Sequence, residues 1–587
     1  MARGRRNHYL HLNSPTDNKT RFYEQHTEYR ASIFRLSFRL LCTLSQRGPM
    51  TTELVGHWPL AGDTLDVSGK DNHGENRNVD LTGQGPAGQK NGAAVFDGRR
   101  SEILVPDSPS LHTGTEDFSI AAHIHTEADI DDPIGDIVCK FDPEHRNGFN
   151  LGLKRHSAAC TSLSNYRNLH FGIDDGRIDE MWADCGQPGE GLFVMALAVH
   201  EGHLYAGTCE SAADGAGHVF RYLGNGRWED LGSPDGANAV MSLAPYRGAL
   251  YAGTGRLKLL GSSLPPSSND NEGGGVFRLE GDRWVSCGKM GGERGAYAEY
   301  CHDTVHALEV FQGRLYGVGL YTQGLFRYEG GCDWTDCGSH GSRLMTLGTF
   351  RGDLHVLENG SGVYRFSSGE DWTKWTRMAA LPGVTQVYSM AVYEGSMVVG
   401  TWPEARVFRW AANGEWIDMG RLGEELEVMG MAVYNSTLYA GTLPLGQVYR
   451  YDGNGHWTCT GQLDTTPDVK FRRAWSTAVY DGKLYFGTLP AGRVMSLEAG
   501  RSATLDSALA PGWRHLAAVR SAGMLTVYVD GEVVAESAEF AAVDYDLRNS
   551  QPLRIGCGQH DYFTGRIADL QIYRGALRAD EVRGIAG

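Results

Sequence analysis

The stretch VMALAVHEGHLYAGT (Val194 to Thr208) decides how the middle of the chain is read: an apolar strand, a Gly turn, and a second strand ending at Gly-Thr. The same plan returns as VMSLAPYRGALYAGT (Val240 to Thr254), VHALEVFQGRLYGVG (Val305 to Gly319), LMTLGTFRGDLHVLE (Leu344 to Glu358), VYSMAVYEGSMVVGT (Val387 to Thr401), VMGMAVYNSTLYAGT (Val428 to Thr442) and WSTAVYDGKLYFGT (Trp475 to Thr488). Equivalent positions run from Tyr205 to Tyr485 in six intervals with a mean of about 47 residues, within the roughly 40–50 of propeller blades. Each of the first six units continues into a Val-x-Arg or Leu-x-Arg strand, such as Val219-Phe-Arg-Tyr222, followed by a Trp strand. Their period-two alternation is that of half-buried β-strands, and four strands make one blade.

The seventh unit, with Val494-Met-Ser-Leu497, has no Trp after it. Trp182-Ala-Asp-Cys-Gly186, ahead of the first unit, matches Trp334-Thr-Asp-Cys-Gly338. An N-terminal strand that completes the last blade would close the ring and remove two open sheet edges. The expectation is a seven-bladed β-propeller over residues 181–499. Its repeats match neither the WD40 nor the kelch pattern, and sialidase Asp boxes are missing, so its family stays unassigned.

The segments on either side are also rich in strands. The first carries Leu54-Val-Gly-His-Trp58, Ala94-Val-Phe-Asp-Gly98 and Phe118-Ser-Ile-Ala-Ala-His-Ile124. The second carries Gly512-Trp-Arg-His-Leu-Ala-Ala-Val519, Leu525-Thr-Val-Tyr-Val-Asp-Gly531 and Phe563-Thr-Gly-Arg-Ile-Ala-Asp-Leu-Gln-Ile-Tyr573. In order and spacing they resemble two halves of one laminin G-like jelly roll of the concanavalin A-like lectin/glucanase superfamily. The resemblance implies a sandwich split between 50–180 and 500–587 around the propeller, so the fold class is all-β. It also implies glycan recognition, a structural Ca2+ near Asp66 and Asp569, and export. Two aspartates fall short of the six to eight oxygens Ca2+ needs, and turn-capping is the competing reading of both.

Composition narrows the function. Of 587 residues 78 are Gly, nearly twice the usual share of roughly 7%, without a collagen period. Lys and Arg number 54 against 71 Asp and Glu, a net charge of −17 that disfavours nucleic acid and anionic membrane surfaces as partners. No apolar run is long enough to cross a membrane. Residues 1–49 are basic, lack the uninterrupted apolar core of a signal peptide, and read as a disordered leader or a mis-assigned start before Met50. Eleven scattered Cys read as mostly reduced thiols. Compartment, glycan and oligomeric state stay open.

Candidate chemistry lies where the inner strands begin, at one mouth of the ring. Tyr300, His302, Asp303 and His306 fall on one entry segment and suit proton transfer. Arg343, Arg472 and Arg473 suit a ligand carboxylate, Tyr388 and Trp475 suit stacking on a sugar face, and Glu427 adds a carboxyl to the same mouth. Against this, polar loop entries are commonly solvated, and the methionines at 195, 241, 345 and 429 read as blade core. The leading expectation is a carbohydrate-binding protein combining the jelly roll with a propeller platform. The alternatives are a glycan-active enzyme, a polysaccharide lyase or glycosidase acting on the propeller face, and, more weakly, a protein-interaction scaffold.

Overall fold

A computed structural model describes residues 52–587 apart from 158–159, 178–179, 213–214, 258, 260–261, 291–300, 303, 320–323, 339–342 and 367–374. The described chain is all-β, with one α-helix, Ala579–Ala586. It combines a jelly-roll sandwich with a β-propeller. No described helix is long and apolar enough to cross a membrane.

Two large antiparallel sheets form the sandwich, and both mix strands from the two ends of the chain. In the first, Phe118–Thr126 lies between Gly512–Ser521 and Thr564–Arg574. In the second, Asn165–Asp175 pairs with Arg501–Leu505. Alternate residues from each, including Trp58, Phe118, Phe149, Phe171, Leu516 and Ile567, interdigitate in one core, as the period-two side-chain alternation of strands requires.

Between residues 181 and 498 the strands group into successive four-stranded antiparallel units. Their innermost strands are Phe193–His200, Ala239–Tyr246, Val305–Phe311, Leu344–Phe350, Gln386–Tyr393, Glu427–Tyr434 and Arg473–Tyr480. Each packs against the next, and the last packs against the first. The unit beginning at Arg473 takes its outer strand from Met181–Asp184, which pairs with Val494–Glu498 in the register Trp182↔Leu497.

The repeated Trp ties neighbouring units together. Indole N–H groups of Trp228, Trp284, Trp334, Trp416 and Trp457 donate to backbone carbonyls of Cys185, Leu231, Cys287, Ala379 and Met419, each on the preceding unit. Trp182 does the same to Thr460 Oγ1. The Val-x-Arg arginines pair with nearby carboxylates, for example Arg221 with Glu229 and Arg409 with Glu394. Such half-exposed pairs cover the blade edges and contribute little stability.

The sandwich docks on the end of the ring where the inner strands turn back. Backbone N–H groups of these turns donate directly to it: Gly202 to Asp506 O, Gly352 to Asp131 O and Gly395 to His560 O. A hairpin of the sandwich, built from Asn147–His156 and Asn165–Asp175, enters the ring itself. Leu163 N–H donates to Leu243 O, Val199 N–H to Ser164 O, and Thr161 Oγ1 to Met195 O. Asn165 exchanges two bonds with the backbone of Val479. Backbone groups of an apolar strand accept such a guest only where it supplies matching donors and acceptors, which this Ser/Thr/Asn-rich loop does. The inserted hairpin plugs that end of the channel.

Candidate functional site

At the opposite end, where the inner strands begin, the ring holds a cavity of about 430 Å³. Its shape follows from a local irregularity repeated in every unit. The pairing of each inner strand with its neighbour slips directly after the first apolar residue. The residues left out are Met195, Met241, His306, Met345 and Tyr388 in five units, and Met429-Gly430 and Trp475-Ser476 in the other two. A β-bulge re-aims the side chain it displaces. Of these residues Met195, Met241, His306, Met345, Tyr388 and Trp475 line the cavity, in one layer around the axis. Two positions earlier, Phe193, Arg343, Gln386, Glu427 and Arg473 form the layer above, and Trp402 and Leu443 enter from the ends of second strands. Below, Cys160 of the plugging hairpin joins Met195, Met241, Met429 and Trp475 in an apolar cluster.

The structure therefore brings His306, Arg343, Tyr388, Glu427, Arg473 and Trp475 into one wall. Arg472 is not part of it: its Nε donates to the Thr466 carbonyl oxygen 2.7 Å away. Tyr300 and Asp303 lie outside the described residues, and of His302 only the backbone is described, pairing with Arg256. Three of the methionines read from sequence as blade core line the cavity instead, because the bulge turns them to the axis. Phe193, Trp402 and Phe471 are the lining aromatics that sequence reading missed. The available signal was the phase of the repeat: Val194, Leu197 and Val199 share one core, so the apolar spacing opens from two to three at the bulge.

The electrostatics are set by burial. Glu427, 4% exposed, has its carboxyl pushed up to about 8 by desolvation, against the opposing pull of Arg473 and Arg343. Burial likewise drives the Tyr388 hydroxyl far up and takes His306 down to about 4. His306 Nδ1–H donates to the Met345 carbonyl oxygen, which leaves Nε2 as the acceptor of a neutral ring. Arg473 lies over the Phe471 ring at 5.6 Å. Its Nε and Nη1, together with Glu427 Oε1 and Trp475 Nε1, have no hydrogen-bond partner among the described residues. Trp475 makes edge contacts with Phe193 at 5.2 Å and Tyr388 at 6.0 Å between ring centres.

In the sandwich, the Asp66 and Asp569 carboxylates are engaged by protein donors. Both Asp66 oxygens accept donors: His57 N–H and Ser68 N–H on Oδ1, Asn72 N–H and Ser68 Oγ–H on Oδ2. Burial raises its carboxyl, but these N–H groups outweigh burial and hold it below the usual range. Asp569 bonds His57 Nε2 at 2.6 Å and Gln571 Nε2 at 2.9 Å. No metal-binding group of three is found among the described residues. Asp66 is a turn cap, so Asp66→Ala is expected to cost about 2 kcal/mol. Its thermal midpoint should fall equally with Ca2+ and with chelator, and a loss seen only with Ca2+ would restore the metal. The nine described cysteines are free thiols.

A family model of the concanavalin A-like lectin/glucanases superfamily matches residues 468–583. No curated protein matches the chain. Among solved structures, a streptogramin B lyase shares 12% identity, with a TM-score of 0.42 over 55% of this chain and 98% of its own. A catalytically inactive virginiamycin B lyase from Staphylococcus aureus with quinupristin shares 11%, at 0.38 over 55% and 99%. YCF48 from Cyanidioschyzon merolae shares 10%, at 0.37 over 54% and 98%.

Proposed function

We propose that the chain is a carbohydrate-binding protein in which a closed seven-bladed propeller, inserted into one jelly roll, carries the ligand site in its open mouth. The observation that supports this is the cavity itself: Phe193, Tyr388, Trp402, Phe471 and Trp475 surround it, with a few polar groups converging among them. Flat apolar rings beside hydrogen-bonding groups suit a sugar, whose faces present C–H and whose rim presents hydroxyls. The jelly roll acts in this reading as a base. Its second sheet is buried along nearly the whole of Gly135–Asp142, Asn147–His156 and Asn165–Asp175, with one face on its own core and the other on the propeller.

Retention on a polysaccharide panel, assayed together with product release, tests the proposal. The protein is expected to be retained by at least one glycan, and Trp475→Ala to weaken that retention at least tenfold when assayed at a temperature where the variant is still folded. Retention by none, or retention indifferent to Trp475, overturns it. A second reading, a glycan-active enzyme, is favoured by one feature, the neutral His306 ring, whose Nε2 is available as a base in the same cavity as a Glu427 that holds its proton at pH 7. Turnover abolished by His306→Ala would establish that reading.

A further inference from the structure

Resting on the saccharide reading, we infer that the ligand of the cup is acidic: a sugar residue bearing a ring carboxylate, a uronic acid, whose carboxylate is held by Arg473. Among the described residues the wall contains two guanidinium groups, of Arg343 and Arg473, and a single carboxyl, that of Glu427. Arg473 is 8% exposed, yet Nε and Nη1 lack partners among the described residues. A guanidinium does not escape burial by losing its proton, so unmade hydrogen bonds at this depth are costly until an acceptor arrives. A guanidinium presents neighbouring N–H groups as a planar fork that matches a carboxylate in bidentate fashion. The Phe471 ring beneath it holds the fork in place. Trp475, on the same strand, lines the cavity beside it and offers an apolar surface to the remainder of the sugar ring.

Glu427, surrounded by the Arg343 and Arg473 guanidinium groups, the Tyr388 hydroxyl and the Cys160 thiol, sets the pH range of this site. At neutral pH its carboxyl is protonated, so it donates to the ligand and does not repel it. His306, neutral at the same pH, adds no charge. As the pH rises through about 8, Glu427 ionises beside the bound carboxylate. Like charges in a buried site are strongly unfavourable, and the ligand is expelled. The overall net charge of −17 repels an anion at long range, so the site relies on these local donors and association speeds up with added salt.

The test is calorimetric binding of uronate di- and trisaccharides and of their methyl esters to the wild-type chain, Arg473→Gln and Glu427→Gln between pH 6.5 and 9. The acid is expected to bind at least tenfold more tightly than its ester at pH 7, and Arg473→Gln to abolish that preference. Wild-type affinity for the acid should fall as the pH passes 8, while Glu427→Gln keeps it level. Equal binding of acid and ester, or a preference that survives Arg473→Gln, overturns the inference. In those outcomes the ester still binds and still depends on Trp475, so the saccharide reading stands. Loss of all saccharide binding removes both. If Arg473→Gln fails to fold, the acid-to-ester ratio on the wild-type chain decides alone.

Discussion

Glu309→Ala is expected to destabilise the protein by about 3–5 kcal/mol, the cost of leaving one member of a buried ion pair behind. Arg155, on the plugging hairpin, and Glu309, on the third inner strand, are 1% and 0% exposed and 2.7 Å apart. Glu309 also accepts the Val310 N–H, and Arg155 donates in addition to the carbonyls of Ile130 and Val310. Removing the arginine would be less harmful, because a lone buried Glu309 can take up a proton. Arg155 has no such recourse. The double change Arg155→Met with Glu309→Leu should therefore recover most of the loss. Denaturant unfolding of the three variants measures this, and a single-variant cost below about 1 kcal/mol would show that the hairpin is held by its backbone bonds alone.

Trp182→Ala should lower stability by about 2–3 kcal/mol, combining lost packing with a lost hydrogen bond. Its indole meets Phe486 edge-on at 6.0 Å, donates to Thr460 Oγ1, and covers Gly461 so closely that a Cβ there would lie 2.7 Å away. The strand that carries it is held on by four register pairs to Val494–Glu498. Melting of Trp182→Ala beside Trp284→Ala compares the seam with an ordinary junction. The seam variant should melt lower, and an unchanged midpoint would remove Met181–Asp184 from ring closure.

Much of the propeller was readable because its repeat is local: Gly-Thr strand ends, Val-x-Arg strands and outer-strand Trp recur in the same order in most units. The site was readable in part, since His306, Arg343, Tyr388, Glu427, Arg473 and Trp475 all stand at the start of an inner strand. Alternation alone, however, places Met195 and Met241 in the blade core. Only the three-residue step from Val194 to Leu197 marks the bulge that turns them to the axis. Phe471 and Trp402 lie off the repeated motif, on a loop and at a strand end. The plug left no trace, because the 157–164 stretch has no period and its partners, such as Leu243 and Val479, are far along the chain. Asp66 and Asp569 matched the positions a family places near an ion, but the donors around Asp66 come from three separate residues whose convergence requires the fold.

The inserted hairpin bears on traffic through the ring. With its far end closed by protein, the mouth is an alcove with a single doorway: a polymer cannot be threaded through it, and whatever enters must back out by the same route. On the saccharide reading proposed above, such a site would admit chain termini and side branches, so its capacity on a polysaccharide should follow the number of ends and be insensitive to chain length.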